Sequence, residues 1–306
     1  MKVMWRRPLV RLLLIIPLTS LLLTGGIVAT WFALGQPQAQ GTIWFQVTGM
    51  GAADARYDPS LPDRPFFFLA LGNDARTDAD PGLGDAIHVI GVNPALGQAA
   101  MLDVPRDTTA PSGGKINSYH SLHGLPGITD QLERMMGIHI DFAITTNFPG
   151  IVGMVDEIGG IDVNVPFEMN DLNDSGALFH PGLQHLTGDQ VLRFSRDRHN
   201  FANGDITRTN NQGIAILGAL ATLRAQNPGP AGTMRLVAVL ARHVRARNMS
   251  ILDLYRLARL GLSLDPANIK NITIPVASGP GTNLLLGAGA ASLFADFRDD
   301  GVLQTH

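Results

Sequence analysis

The 306-residue sequence contains no cysteine, and this absence excludes several kinds of site. A disulfide framework, a thiolate zinc site, an iron–sulfur cluster and a cysteine nucleophile all require that residue. Lysine is scarce and occurs only as Lys2, Lys115 and Lys270, so any phosphate site has to rely mainly on arginine. No P-loop, no GxSxG segment and no GxGxxG loop after a strand is present. The net charge of −3 argues against a general nucleic-acid binder.

The N-terminal segment has the length and composition of a membrane anchor. Residues 12–34 form an uncharged apolar run, about as long as the ~20 residues that cross a bilayer. Because Arg6, Arg7 and Arg11 precede it, the positive-inside rule predicts a short cytoplasmic tail at 1–11 and an extracytoplasmic remainder. The alternative is a cleaved signal peptide, but no convincing cleavage site follows. Both interpretations place the main domain outside the cytoplasm, where an enzyme lacks ATP and needs pre-activated substrates.

A linker and one α/β domain are predicted after the apolar run. Residues 35–65 are rich in proline and polar residues and keep no regular period. Short apolar runs predict strands at 66–71, 86–92, 99–104, 142–147, 161–165 and 271–277. Helical patterns follow at 128–137, 148–160, 187–196, 206–226, 234–246, 249–264 and 288–301. This mixture predicts a domain at 66–306 with a central mixed β-sheet covered by helices on both faces.

Charged residues stand where predicted strands begin or end, which are positions that commonly carry function. Asp74 follows the first strand, Asp85 begins the second and Arg106 follows the third. If these strands end together, the three side chains meet at one edge of the sheet. Two carboxylates without histidine or cysteine partners suit Mg²⁺ that is held with the help of substrate phosphates. The segment RFSRDRHNFANGDITR adds several arginines, whose paired donors match phosphate oxygens.

The residues alone leave two explanations open for this pattern. A phosphoryl-transfer site combines carboxylates, a divalent cation and arginines in this way. Solvated strand ends and surface ion pairs use the same residue types. Spacing does not decide between the two explanations.

The order of short motifs along the chain resembles one known family. The series LGNDAR, GDAI, NP, VPRDT, KINSYH, NFPGIVGMVDEIGGIDVNVP, LTGDQVLRFSRDR and GDITRTNNQ is similar to the LytR-CpsA-Psr family of Gram-positive and related cell envelopes. The likeness runs from about Phe66 to Gln212 and continues weakly into DPANIKNITIPV. Each motif is short, but eight of them in the right order are specific.

The resemblance implies a fold, a location and an activity. We expect the α/β/α fold of that family, following a membrane anchor, with a polyprenyl-(pyro)phosphate lipid whose tail lies in an apolar tunnel. The family is thought to transfer a lipid-linked glycopolymer to peptidoglycan by forming a phosphodiester, releasing polyprenyl phosphate. A pyrophosphatase side activity is expected as well. The membrane, the lipid-linked glycopolymer and peptidoglycan are therefore the expected partners, and nucleic acid is not.

The resemblance also implies roles for individual residues. Asp74 and Asp85 match the family's magnesium-binding aspartates, at a site that Mn²⁺ would also suit. The phosphate-binding and polar positions of the family match Arg106, Arg196, Arg198, Arg208 and Gln212. Arg106 would also stabilise charge as the phosphoryl group moves. Asp107 and Asp205 are the candidates for the base that takes the proton of the acceptor hydroxyl.

Two positions depart from the family pattern and motivate an alternative function. Leu83 and Asn211 stand where arginines are usual. Each loss removes a charge-assisted hydrogen bond of roughly 1.5–3 kcal/mol, and Arg76 and Arg193 could compensate. The alternative is a non-catalytic polyprenyl-phosphate-binding module of the cell envelope. A transcriptional regulator is disfavoured by the topology, the charge and the lack of a helix-turn-helix pattern.

The apolar segments IAILGALATL and MRLVAVLARHV have two interpretations. Ordinary core helices are the more common case, whereas the resemblance would place some of these residues on a lipid tunnel. Both environments are apolar and hidden from water, so periodicity does not separate them.

Overall fold

A six-stranded mixed sheet organises the chain. The structure is a computed structural model and describes residues 64–77, 80–198, 204–247 and 249–304. In chain order the strands are β1 (Phe66–Asn73), β2 (Gly84–Asn93), β3 (Gln98–Asp103), β4 (Phe142–Thr146), β5 (Ile161–Val165), β6 (Met169–Asp171), β7 (Ala177–Phe179), β8 (Gly182–Leu186), β9 (Arg245–Arg247), β10 (Ile269–Thr273), β11 (Val276–Ser278) and β12 (Leu284–Leu286). The large sheet has the order β10-β3-β2-β1-β4-β9.

Seven α-helices connect and cover the strands within the described residues. They are α1 (Ser118–Met136), α2 (Phe148–Glu157), α3 (Gly188–Phe194), α4 (Gly204–Ala225), α5 (Pro230–His243), α6 (Ile251–Ser263) and α7 (Ala290–Asp300). Local capping fixes where several of them begin. The Asn147 side chain accepts a hydrogen bond from the Gly150 N–H at 2.9 Å, and Ser250 accepts one from the Asp253 N–H at 3.1 Å. Capping of this kind satisfies N–H groups that have no partner within the helix.

Both faces of the sheet are covered, as the sequence predicts. Alternation along the strands sends Leu69 and Val89 to one face, where they pack with α1 and α7. Ile90 and Met101 point to the other face, which packs against α4, α5 and α6. The antiparallel pairs β1–β2 and β2–β3 and the parallel pair β1–β4 make the sheet mixed. The predicted mixed α/β architecture is therefore confirmed.

Several predicted elements differ from the structure at their ends: the helix predicted at 128–137, for example, begins at Ser118. Two other differences have a clear physical reason. The predicted helix at 234–246 stops at His243, and Arg245–Arg247 forms the edge strand β9 instead. In β9 these residues pair with the strand β4 through the backbone, which a continued helix would not allow. The predicted strand at 271–277 is split into β10 and β11 around Pro275, which has no N–H to donate to a ladder.

A second apolar cluster lies beside the large sheet. The hairpin-like pairs β5–β8 and β6–β7 pack with α2, α3 and α4 around Phe179 and Phe194. The fully buried Phe194 ends α3, so the cluster anchors the segment that follows, which carries Arg196 and Arg198. The predicted tail at 1–11, anchor at 12–34 and nearly all of the linker at 35–65 lie outside the described residues. No helix within the described part is long and apolar enough to cross a membrane.

Candidate functional site

The topology brings three strand ends to one edge of the sheet. Because β1, β2 and β3 are successively antiparallel, the end of β1, the start of β2 and the end of β3 meet there. Asp74, Asp85 and Arg106 occupy these three positions. The Asp74 carboxylate accepts a hydrogen bond from the Leu83 N–H at 2.6 Å, which ties the loop between β1 and β2 to the edge. The structure thus brings together the three side chains that the sequence places at strand ends.

Arg106 is the most heavily paired cation of this edge. Its Nη1 donates to Asp85 Oδ2 at 2.6 Å, and its Nε lies 3.8 Å from Asp205 and 4.0 Å from Asp107. Burial opposes its charge, but the carboxylates outweigh burial and raise the pKa of Arg106 above its ordinary value. Asp107 also accepts from Lys115 Nζ at 2.8 Å. The guanidinium is therefore held in place before any ligand arrives.

Arg208 is a buried cation with few partners. It lies in α4 and is 5% exposed. Its Nη2 is 3.3 Å from Asp205, but neither Nε nor Nη2 makes a hydrogen bond within the described residues. Burial, and then the neighbouring charge of Arg106, lower the pKa of Arg208 below its ordinary value. Buried guanidinium groups left without acceptors are suited to an anionic ligand.

The remaining predicted phosphate residues differ in position. Arg76, Arg196, Arg198 and Gln212 line the same cavity as Arg208. The Arg196 guanidinium lies 5.3 Å from the centre of the Phe148 ring, and Arg198 Nε is 3.4 Å from Asp174. Gln212 donates to the Ser195 carbonyl at 3.2 Å, while its Oε1 makes no hydrogen bond to any residue that the structure describes. Arg193 does not line the cavity and pairs with Asp189 at 2.7 Å, so the expected compensation from this residue has no support in the geometry.

The cavity runs from this charged mouth into an apolar body. Its volume is about 540 Å³, within the range of small-molecule sites. Sheet residues such as Phe68 and Ile144 form one wall, and α2, α4 and α5 form the others. Ala219 and Leu240 come from the two apolar segments whose role the sequence left open. Part of each segment therefore lines the cavity rather than filling an ordinary core.

Asp74 and Asp85 fit a magnesium site that is completed by a ligand. Both carboxylates line the cavity mouth, and oxygen donors are the ligands that Mg²⁺ prefers. No group of three or more histidine, aspartate or glutamate side chains that could hold a metal occurs in the described part of the chain. Two carboxylates with phosphate oxygens of a bound ligand match the way in which Mg²⁺ is commonly held.

The two positions that depart from the family pattern lie away from the cavity wall. Leu83 is at the surface beside Asp74, with its side chain 36% exposed. Asn211 is fully buried in α4, and its amide makes no hydrogen bond within the described residues. Neither side chain lines the cavity, and neither do the two candidate bases, Asp107 and Asp205.

Sequence reasoning gave no role to His88, which lines the cavity from the middle of β2. Its Nδ1 lies 2.6 Å from Asp103 Oδ1, and both side chains are buried. Burial raises the pKa of Asp103, against the effect of its contacts with His88 and Asn271. The available signal was the presence of two ionisable residues inside apolar strands, where a charge needs a partner.

Comparisons with known proteins agree with this geometry. A family model for the LytR_cpsA_psr family matches residues 46–294. The polyisoprenyl-teichoic acid–peptidoglycan teichoic acid transferase TagV of Bacillus subtilis is 34% identical over an alignment of 172 residues that covers 52% of this chain and 44% of TagV. The transferase of the same description, TagU, from Halalkalibacterium halodurans is 33% identical over 165 residues, covering 52% of this chain and 53% of TagU. The chain thus spans about half the length of these curated relatives.

Solved structures share the fold. The crystal structure of B. subtilis TagV has a TM-score of 0.67 at 24% identity and covers 78% of this chain and 98% of that chain. A structure described as TagT bound to LI-WTA has a TM-score of 0.66 at 22% identity, with coverages of 80% and 92%. Because the family model covers most of the sequence and the fold is the same, the chain belongs to the LytR_cpsA_psr family.

Proposed function

We propose that this protein transfers a polyprenyl-pyrophosphate-linked glycopolymer to peptidoglycan by phosphoryl transfer outside the cytoplasm. The observation that carries the proposal is one cavity with an arginine-rich mouth and an apolar body. A lipid pyrophosphate has this same division between charge and hydrocarbon. The names of the curated relatives, which are teichoic acid transferases, support the same class of reaction.

The arginines would bind and orient the pyrophosphate. Arg208 offers buried donors that have no acceptor in the described part of the chain, and Arg106 is fixed by Asp85 beside it. Arg196, Arg198, Arg76 and Gln212 would complete the mouth. Fixed cations placed where negative charge develops stabilise a phosphoryl-transfer transition state. Asp74 and Asp85 would hold Mg²⁺ or Mn²⁺, which when bound neutralises phosphate charge.

Neither candidate base lines the cavity wall, and Asp205 is the better placed of the two because it lies beside the cavity residues Arg106 and Arg208. It faces both Arg106 and Arg208, at 3.8 Å and 3.3 Å, whereas Asp107 is engaged by Lys115 at 2.8 Å. In the proposed step the acceptor hydroxyl oxygen forms a bond to the outer phosphorus, and the bond from that phosphorus to the lipid phosphate breaks. The hydroxyl proton passes to the Asp205 carboxylate. The lipid leaves as polyprenyl phosphate.

The proposed location is the outer face of the cell membrane, with residues 12–34 as a single-pass anchor. The basis is the uncharged apolar run preceded by arginines. A reporter enzyme that works only outside the cytoplasm should be active when it is fused to the C-terminus. A reporter that works only in the cytoplasm should be inactive at the same position. Activity of a cytoplasmic reporter at that end would contradict the proposal.

The test uses the full chain and geranylgeranyl pyrophosphate, with Mg²⁺ or with EDTA. We expect geranylgeranyl monophosphate to be released, by transfer to water, only with Mg²⁺, as followed by mass spectrometry. Asp85→Asn should abolish release, because it removes a carboxylate from the mouth. Asp130→Asn is the matched control, since Asp130 is an exposed partner of Arg134 on α1. Equal release with EDTA, or by Asp85→Asn, would refute the assignment.

A non-catalytic lipid-phosphate-binding module is the second candidate, and Leu83 and Asn211 motivate it. It predicts binding of geranylgeranyl pyrophosphate without release. Leu83 adjoins Asp74 at the mouth, so Leu83→Arg adds a cation near the proposed phosphates. Faster release by Leu83→Arg would favour the transferase, and binding without release in both proteins would favour the module.

A further inference from the structure

The buried pair of His88 and Asp103 has no part in the step proposed above. The two residues face each other in the β2–β3 register and are 2% and 0% exposed. Asp103 engages Nδ1 of the ring, whereas Nε2 is buried without a hydrogen-bond partner in the described ranges. A buried polar atom without a partner is rare in native structures and needs an explanation. Because His88 lines the cavity, a ligand in the cavity is the natural partner.

The strand register places His88 where the charged mouth gives way to the apolar body. Ala86, His88 and Ile90 lie on the same face of β2 and all line the cavity. Ala86 directly follows Asp85 and is nearer the mouth, whereas Ile90 is deeper in the cavity. The residue paired with His88 on the neighbouring strand β1 is Ala70. Successive residues on one face of a strand are about 7 Å apart. His88 is therefore the polar group at the inner end of the mouth.

Helix α4 closes over the pair at the same level. A Cβ at Gly213 would lie 2.6 Å from Asp103 Oδ2 and would also collide with the Asn271 amide, so only glycine permits this close approach. The residue before it, Gln212, lines the cavity, and its buried Oε1 has no partner among the described residues. One turn earlier lies Arg208, whose Nε is also unpartnered within the described chain.

We propose that His88, oriented by Asp103, binds the phosphate that is attached directly to the isoprenoid chain. The proposal rests on the proposed function, because it takes a lipid phosphate as the occupant of the cavity. The lipid-side phosphate has to lie between the hydrocarbon chain and the outer phosphate, and His88 occupies that level. One proton would be shared between Nε2 and a phosphate oxygen. The Asp103 carboxylate on the opposite ring nitrogen fixes the ring, so that Nε2 is held toward the cavity.

The test compares two ligands that differ only in the phosphate. Dissociation constants for geranylgeranyl monophosphate and geranylgeraniol are measured on the full chain, and their ratio is the phosphate preference. His88→Leu should reduce this preference about tenfold or more, which corresponds to one charge-assisted hydrogen bond. His88→Gln keeps an amide donor and should retain part of it. Ile87→Val is the matched control, because Ile87 lies on the opposite face of β2, off the cavity wall, and it should leave the preference unchanged.

A second variant and a spectroscopic measurement separate binding from structure. His88→Leu leaves Asp103 as an unpaired buried carboxylate, which could prevent folding. The double variant His88→Leu/Asp103→Asn removes both ionisable groups and is measured in the same way if the single variant does not fold. In ¹⁵N-histidine-labelled protein, the Nε2 signal missing from His88→Gln belongs to His88. It should shift on addition of geranylgeranyl monophosphate and stay unchanged with geranylgeraniol.

The outcomes distinguish this proposal from the function on which it rests. If the unaltered chain binds the monophosphate but the variants keep its preference, or the Nε2 signal does not move, the role of His88 is refuted and the proposed function stands. If the unaltered chain binds neither ligand, both are refuted.

Discussion

Replacing Arg208 should make the ligand-free protein more stable and the site inactive. In Arg208→Met the substituted side chain keeps the apolar stem and loses the buried guanidinium. Each unsatisfied buried polar group costs roughly 1–3 kcal/mol, and both Nε and Nη2 lack hydrogen bonds in the described residues. The lost ion pair with Asp205, at 3.3 Å and with a partly exposed carboxylate, offsets about 1 kcal/mol of this. At the lower end of the range for unsatisfied groups the two atoms together cost about 2 kcal/mol, so subtracting the ion pair leaves a net gain of at least about 1 kcal/mol in the free energy of unfolding.

Thermal denaturation with and without geranylgeranyl pyrophosphate measures both effects. For a domain of this size, a gain of about 1–2 kcal/mol raises Tm by roughly 2–8 °C. The ligand should raise the Tm of the unaltered chain and have little effect on Arg208→Met. Arg193→Met serves as the control, because Arg193 is 47% exposed, pairs with Asp189 and lies off the cavity wall. It should change neither quantity measurably.

The reasoning fails if Arg208→Met lowers Tm by more than the control does. That result would mean that Arg208 contributes more to packing than its buried charge costs. It also fails if the ligand stabilises Arg208→Met as much as the unaltered chain, because the buried donors would then have no part in binding.

Two further predictions concern the cavity body and a surface cluster. Ala219→Phe places a large side chain in the apolar body of the cavity. It should weaken the binding of geranylgeranyl pyrophosphate at least tenfold and leave the binding of inorganic pyrophosphate unchanged, as measured by calorimetric titration. An equal loss of affinity for both ligands would contradict this prediction. The surface cluster consists of Glu157, Arg242 and His243. Burial alone would raise the pKa of Glu157, but hydrogen bonds from Arg242 and His243 outweigh burial and lower this pKa below its ordinary value of 4.5. The lowered pKa means that its stabilisation is present above that value and is lost as the pH falls below it. Because Glu157 is 38% exposed, Glu157→Gln should cost only about 0.5 kcal/mol at pH 6. In urea titrations this cost should shrink as the pH falls below 4.5, and a constant difference would contradict the prediction.

The mouth of the cavity was predictable because it depends on strand order along the chain. Short apolar runs located β1, β2 and β3, and successive antiparallel pairing then places Asp74, Asp85 and Arg106 at one edge. Short connections between neighbouring strands leave few other arrangements. The prediction needed no knowledge of side-chain packing, and the 2.6 Å contact between Arg106 and Asp85 agrees with it.

The cavity body and the buried pair depend on contacts between distant segments. A helix that lines an empty space has the same apolar pattern as one that fills a core, so Ala219 and Leu240 gave no signal of their position. His88 and Asp103 are 15 residues apart and meet only through the register of β2 with β3. The short strand β9 likewise exists because β4 offers it an edge, which overrides the helical pattern of its residues.

Arg106 is half-buried and Arg208 is buried, and the two have opposite electrostatic environments. This opposition predicts opposite effects of removing them. Carboxylates surround Arg106 and raise its pKa, whereas burial and the charge of Arg106 lower the pKa of Arg208. Arg106→Met should therefore destabilise the ligand-free protein by about 2 kcal/mol, because Asp85, Asp107 and Asp205 lose the cation between them. Arg208→Met should stabilise it, while both variants lose turnover. Urea denaturation of the two variants side by side measures this difference. Equal destabilisation by both variants would show that both arginines act as structural cations. The assignment of Arg208 as a phosphate-binding group that is unsatisfied in the ligand-free protein would then be wrong.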